Sequence, residues 1–458
     1  MDTRPGLTSH IEALRDARRR TLELVADLDD EQMIGLRLDI VNPLLWEIGH
    51  VAWFQEYWLL RHLLGRAPTI SAGDALYDSA KVAHETRWDL PLPSKADTIT
   101  YTQEILNQVI SQYDQGRTRS GDSSNRLTWD ALYFLSLALF HEDMHAEAIT
   151  YTRQTLGYSA PKFSTVDDIR EQPCTENVTQ MKADEESLTN EKLGDAFIPR
   201  GTFLIGSMQD QPFVFDNEMR AHEVEVGPFW ISRTAVTNAE YAAFVDDRGY
   251  ERRELWSQGG WRWRESTGAM HPVYWNFTEG RWWRRNFDEV VQLADYLPVL
   301  HVNWYEADAF CRWAHRRLPT EPEWEMAASA GPTPDDRGIT VHKQRFPWGD
   351  NAPTPQRANL DWRAMGCVDV RLLPEGDSAF GCRQMIGNVW EWTASDFTPY
   401  PGFIAGAYKE YSEPWFSDHR ALRGGCWATR SRLIHNAYRN FYTPDRRDVW
   451  AGFRTCAL

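Results

Sequence analysis

The chain has 458 residues, too many for one small core and enough for two or three domains. A formal net charge of −17 argues against nucleic acid or an anionic membrane as partner, while 42% apolar and 25% charged residues is the balance of a soluble globular protein. The N-terminal stretch Arg15 to Arg20 holds four Arg, no run of about 18 apolar residues is present to span a membrane, and the six Cys are scattered without a CxxC pair. Together these features make a reducing cytoplasm the simplest location.

The first expected element is a helix from Ser9 to Leu28, with Ile11, Leu14, Leu22, Val25 and Leu28 near the helical period. A second runs from Pro43 to Leu64, entered through Asn42-Pro43, a helix-start signal. A third covers Ala96 to Tyr113, and a fourth covers Thr128 to Leu156, ending at Gly157 as its C-cap. Four such helices make an all-α four-helix bundle over residues 1–162. The loop between the second and third helices, 65–94, is long enough to carry function. Residues 163–192 are polar and aperiodic, as in Asp184-Glu185-Glu186, and read as a linker.

From Phe197 onward the texture changes. Short alternating runs such as Glu223-Val224-Glu225-Val226 are separated by Gly and Pro turns. Two helical stretches stand out: Thr237 to Asp246, and Trp304 to Arg316 followed by Glu321 to Ala330. Thr320 is an N-cap candidate with Glu323 three residues later. Residues 193–458 therefore read as an α+β domain with much irregular structure. Of the chain's 22 Trp, many lie here, where large rings fill a core between loops or line a pocket for a cationic ligand.

The motif that carries chemistry is His141-Glu142-Asp143-Met144-His145. On a helix, residues i and i+4 share a face, so two imidazoles can hold one metal ion. The pattern is formally H-E-x-x-H, which raises a zinc peptidase with Glu142 as general base. Ala146 to Thr150, however, supplies neither the Gly nor the His of the extended form, and Glu171 as third ligand would sit in the linker. His50, in the aromatic run Trp46 to Phe54 of the second helix, is the better third ligand, because bundles build metal sites from inward side chains on facing helices. Three neutral imidazoles leave about half an octahedron open, which suits iron(II) with substrate and dioxygen. The competing reading of each His is an ordinary core or surface residue.

In the second half, Gly387-Asn388-Val389-Trp390-Glu391-Trp392-Thr393, Phe346-Pro347-Trp348-Gly349-Asp350 and Arg423-Gly424-Gly425-Cys426-Trp427 are dense in aromatic and turn residues. Taken singly, each reads first as architecture. Taken with Phe197 to Gly201, Phe215-Asp216-Asn217-Glu218, Pro319-Thr320-Glu321 and Ala451-Gly452-Phe453-Arg454, they resemble the formylglycine-generating-enzyme (sulfatase-modifying factor) domain, a C-type-lectin-like fold. The N-terminal half resembles the DinB-like bundle. The order bundle, linker, lectin-like domain is similar to that of the EgtB-type sulfoxide synthases, over nearly the whole chain.

That resemblance implies Fe(II) held by His50, His141 and His145, dioxygen as co-substrate, and carbon–chalcogen bond formation at C2 of the imidazole of hercynine (trimethylhistidine). It also implies a pocket between the domains for the quaternary ammonium, with Asn440 and Phe441 as hercynine contacts and Tyr400 as proton donor. It allows for a structural Ca(II) in the lectin-like domain. Family members that use γ-glutamylcysteine carry an Arg-rich stretch in the long bundle loop, whereas here only Arg87 is Arg within Tyr77 to Pro91. Tyr442 stands where the family has Asp, Arg446 fits the pocket Arg, and Met144 replaces a frequent Gln. These departures make the loop similar to that of the selenoneine synthase branch, which joins hercynine to a selenosugar. The ergothioneine-type enzymes that use γ-glutamylcysteine or cysteine are the alternative. A formylglycine-generating activity is disfavoured, since Ala428 to Asn440 holds no Cys. A non-enzymatic ligand-binding module would take no tight metal.

Overall fold

The structure, a computed structural model, describes residues 7–119, 129–163, 194–208, 213–335, 337–340 and 342–458. The chain divides into two compact units, Met1–Thr165 and Val166–Leu458. The expected linker, apart from Phe163, lies outside the described residues.

Among its described residues the first unit forms helices and no strand. Its long helices are α1 (Leu7–Glu23), α3 (Leu44–Glu56), α5 (Lys95–Arg119) and α6 (Trp129–Leu156), with the short α2 (Asp30–Ile34) and α4 (Gly73–Tyr77) in the connections. These correspond to the four expected rods, although α1 ends at Glu23 rather than Leu28 and α5 runs to Arg119 rather than Tyr113. The second differs at its end, where α3 passes into a π-helical segment, Tyr57–His62, rather than continuing as α-helix. Every residue of α3 is buried, as is typical of a helix apolar on all sides. It packs against both α5 and α6, while α1 packs against α6. The α6 helix stops at Gly157, whose φ of 70° is open to glycine, and the Tyr158 N–H donates to the Arg153 carbonyl at 2.9 Å.

The second unit is α+β. Its strands in chain order are β1 (Asp195–Ile198), β2 (Gly201–Ile205), β3 (His222–Val226), β4 (Phe229–Ser232), β5 (Trp275–Thr278), β6 (Arg281–Asn286), β7 (Glu289–Gln292), β8 (Arg316–Arg317), β9 (Trp390–Asp396), β10 (Arg420–Arg423), β11 (Asn440–Tyr442), β12 (Ala451–Gly452) and β13 (Cys456–Ala457). They form two four-stranded sheets, ordered β1-β4-β13-β8 and β11-β10-β9-β12, with a β2-β3 hairpin and a β5-β6-β7 meander. The helices are α7 (Asn238–Asp246), α8 (Gln258–Thr267), α9 (Trp304–Trp313) and α10 (Glu321–Ser329). Capping boxes at Thr237 and Thr320 start α7 and α10, where the sequence places them. The α8 helix is a departure from the sequence reading. Trp261-Arg262-Trp263 alternates like a strand, but Ser257 caps the segment and Gly268, in the left-handed region, ends it.

The indole-rich motifs of this half are architecture. Trp324, Trp362, Trp390, Trp392, Trp427 and Trp450 are all fully buried. Buried charges tie the loops to them. Glu391 accepts from Arg454 Nε at 2.6 Å and Nη2 at 2.8 Å, and from the Trp324 indole at 2.7 Å. Glu321 receives both Arg423 and Arg439. Asn388, at φ 68°, donates to the Val368 carbonyl and Gln384, and accepts from the Val368 N–H and Asn359. The five described cysteines are free thiols, and among the described residues no helix is long and apolar enough to cross a membrane.

Candidate metal centre

His50 comes from the middle of α3, and His141 and His145 from successive turns of α6. One ring nitrogen from each lies within 4.8 Å of the other two. The Nε2 atoms of His141 and His145 face each other at 3.2 Å. No second group of three His, Cys, Asp or Glu converges in this way among the described residues.

Each ring is held from outside. His50 Nδ1 lies 2.7 Å from the Tyr77 carbonyl oxygen, which makes it the donor and leaves Nε2 with a lone pair. His145 Nδ1 lies 2.7 Å from Glu47 Oε1, with the same consequence. Asn42 Nδ2 in turn donates to Glu47 Oε2 at 2.8 Å. The Phe54 ring stacks on His141 at 3.6 Å between centroids, and Trp46 stacks on His50 at 4.6 Å. Burial, and after it the neighbouring His145, pulls the pKa of both His50 and His141 well below the ordinary histidine value. Two buried, neutral imidazoles and a third tied to a carboxylate form a nitrogen donor set that fits a divalent transition metal.

Glu142 takes no part in this group. Its carboxylate forms a two-point pair with Arg18, at 2.7 Å to Nε and 3.1 Å to Nη2, and both side chains are about 1% exposed. Arg18 also reaches the Thr102 carbonyl and Gln55, so the pair crosslinks α1, α3, α5 and α6. A carboxylate so committed is not a general base for a metal-bound nucleophile, and the zinc-peptidase reading falls with it.

The partners of the ring nitrogens escape sequence reasoning. Glu47 is one turn before His50, yet nothing in one dimension links it to residue 145. The Tyr77 contact uses a backbone carbonyl, which no side-chain type announces. Gly49 does carry a signal, because glycine inside a helix costs about 1 kcal/mol relative to alanine and asks for a packing reason. The reason is close approach: a Cβ at Gly49 would lie 2.3 Å from the Tyr77 ring. Gly49→Ala is therefore expected to push Tyr77 away, release His50 Nδ1 and weaken metal binding by about 10- to 100-fold. Metal titration of the apo-protein checks this, and wild-type affinity in the variant would refute it.

The other residues singled out in the sequence fall in two places. Arg87 and Met144 belong to the first unit. Arg87 is buried, with its guanidinium 3.9 Å over the Trp46 ring and Nη1 2.6 Å from Asn42 Oδ1. Met144 is half-buried on α6, directly before His145. Tyr400, Asn440, Phe441, Tyr442 and Arg446 belong to the second unit. Phe441 stacks on Phe397 at 4.0 Å, and Asn440 Oδ1 accepts from the Phe441 N–H. Arg446 lies 5.1 Å over Tyr442 and pairs at two points, both 2.7 Å, with Asp448. Tyr400 is buried against the Arg439 guanidinium at 4.1 Å, and burial raises its pKa far above the usual phenol value, so it keeps its proton through the neutral range.

Known proteins match both parts of the chain. Residues 13–149 match the DinB superfamily, and residues 180–457 match the sulfatase-modifying factor enzyme 1-like domain. The chain is 36% identical to a hercynine oxygenase of Mycolicibacterium thermoresistibile over 96% of its own length and 93% of the relative's. It is 33% identical to the hercynine oxygenase of Mycobacterium tuberculosis, over 96% of each. Likeness to a formylglycine-generating enzyme of Thermomonospora curvata, at 31% identity, covers 58% of this chain and 93% of that one. Because the hercynine oxygenases match over 96% of the chain and the formylglycine-generating enzyme over 58%, the chain belongs to the EgtB-like family of hercynine oxygenases.

Proposed function

We propose that the protein is a non-haem iron(II) enzyme that uses dioxygen to join selenium, or sulfur, to C2 of the imidazole of hercynine, with a selenosugar as donor. The observation that carries the iron reading is the convergence of His50, His141 and His145, with outer partners that hold Nδ1 of His50 and of His145. Iron(II), when bound, supplies redox chemistry and the open coordination positions that three neutral imidazoles leave. The chain's own residues do the rest. Tyr77 and Glu47 fix the two ring orientations. Trp46 and Phe54 wall the rings off from water. Tyr400 is offered as proton donor, and Asn440 and Phe441 as hercynine contacts.

The overall change balances with one dioxygen per turnover. The C2–H and the donor's Se–H (or S–H) bonds are lost, the carbon–chalcogen bond forms, one oxygen stays on the chalcogen and the other leaves as water. The family relatives, named for hercynine, support hercynine as the substrate. The weakly charged donor is supported by the state of two arginines. Arg87 is buried and hydrogen-bonded to Asn42, and Arg446 is neutralised by Asp448, so a dicarboxylate thiol meets little positive charge from either. The alternative is an ergothioneine-type sulfoxide synthase taking γ-glutamylcysteine or cysteine.

An aerobic assay with hercynine and iron(II), read by mass spectrometry, separates the two. The expected result is product with a selenosugar or its thiosugar analogue at several times the rate seen with γ-glutamylcysteine or cysteine. Preference for γ-glutamylcysteine overturns the branch and leaves hercynine as substrate. Absence of product with every donor overturns the function.

A further inference from the structure

We infer that Arg87 is a positioning residue of the metal centre, acting on His145 through Asn42 and Glu47, and not a contact for the donor substrate. The inference rests on reading the three histidines as metal ligands. Four groups stand in an unbroken chain. Arg87 Nη1 donates to Asn42 Oδ1 at 2.6 Å, Asn42 Nδ2 donates to Glu47 Oε2 at 2.8 Å, and Glu47 Oε1 accepts from His145 Nδ1 at 2.7 Å. Asn42 is polarised from both ends, its oxygen engaged by a cation and its amide nitrogen held toward an anion. An amide in that position can bind in one orientation only, since the flipped amide would set its NH2 against the guanidinium and its oxygen against the carboxylate.

Arg87 reaches the second ligand as well. Its guanidinium lies 3.9 Å over Trp46, and Trp46 in turn stacks on His50 at 4.6 Å and 10° between planes. The indole is itself pinned by its N–H to the Leu76 carbonyl at 2.7 Å, one residue before the Tyr77 carbonyl that holds His50. Arg87 Nη2 also reaches the Val82 carbonyl at 3.3 Å, which fastens the residue to its own loop. One side chain from the long bundle loop thus braces two imidazoles on two different helices. Glu47 is almost completely buried, and a buried carboxylate keeps its orientation only while its hydrogen-bond partners keep theirs. This assignment also gives the loop a role in a chain where Arg87 is the only Arg between Tyr77 and Pro91.

The test titrates the full-length apo-protein with cobalt(II), followed by its visible absorption, in wild type, Arg87→Met, Asn42→Ala and the double variant. Methionine keeps much of the apolar contact with Trp46 while removing the donor. Each single change is expected to weaken cobalt binding by about tenfold, the lower end of the effect of outer partners, and to alter the ligand-field bands. The double variant is expected to be no weaker than the weaker single one, because both cut the same chain. Unchanged affinity and bands in Arg87→Met, with a raised KM for the donor, would overturn the inference and return Arg87 to substrate binding. If Arg87→Met fails to fold, Asn42→Ala reads the same chain on its own. Failure of the wild type to take up cobalt or iron would instead bring down the metal reading, and this inference with it.

Discussion

Replacing His141 with alanine is expected to abolish stoichiometric iron(II) binding and with it oxygen-dependent turnover. His141 is buried, its Nε2 is 3.2 Å from that of His145, and its ring is stacked on Phe54, which fixes it in the cluster. Removing an outer partner of a ligand costs about 10- to 100-fold in metal affinity, and removing the ligand itself is expected to cost more than that. The helix should survive, since alanine is the best helix former and α6 is packed along its length. Iron analysis of the purified variant, beside its circular dichroism, checks both parts. A folded variant that still carries one iron per chain would remove His141 from the site, and the site would then need a different third donor.

The second large effect is on stability. Glu391→Ala is expected to destabilise the second unit by about 3–5 kcal/mol, because it strands the fully buried Arg454 without its anion. The Trp324 indole loses its acceptor in the same step. Against a domain stability of about 5–15 kcal/mol the loss is severe, and it corresponds to a fall in melting temperature of roughly 6–20 °C. Replacing both partners by apolar residues, Glu391→Met with Arg454→Met, should recover much of the loss, since the cost comes from the unpaired charge more than from the missing bond. A single variant that melts with the wild type would show that Arg454 finds another partner.

Much of this was legible in the sequence, and the pattern of what was not has a physical cause. Local signals gave the rods: apolar spacing in α1 and α6, Asn42-Pro43 before α3, the Thr320 and Glu323 pair before α10. The i, i+4 spacing of His141 and His145, with an aromatic-flanked His50 on another rod, sufficed to nominate the metal site. What escaped depends on contacts between segments far apart in the chain. Glu47 meets His145 across 98 positions, and Arg18 meets Glu142 across 124. The Arg18 pairing is also what separates this H-E-x-x-H from a peptidase's, and no local rule reports it. The α8 helix was missed for the opposite reason. Its local pattern is misleading, and its caps and the packing of Trp263 against Trp256 and Tyr305 outweigh the alternation.

The enclosure of α3 on every side limits how this centre can be re-engineered. A rod with no face toward solvent offers no position where a side chain changes at small cost, so His50 and its immediate neighbours are poor places to introduce diversity. Variation aimed at substrate choice is better spent on half-buried positions outside α3, such as Met144 on α6.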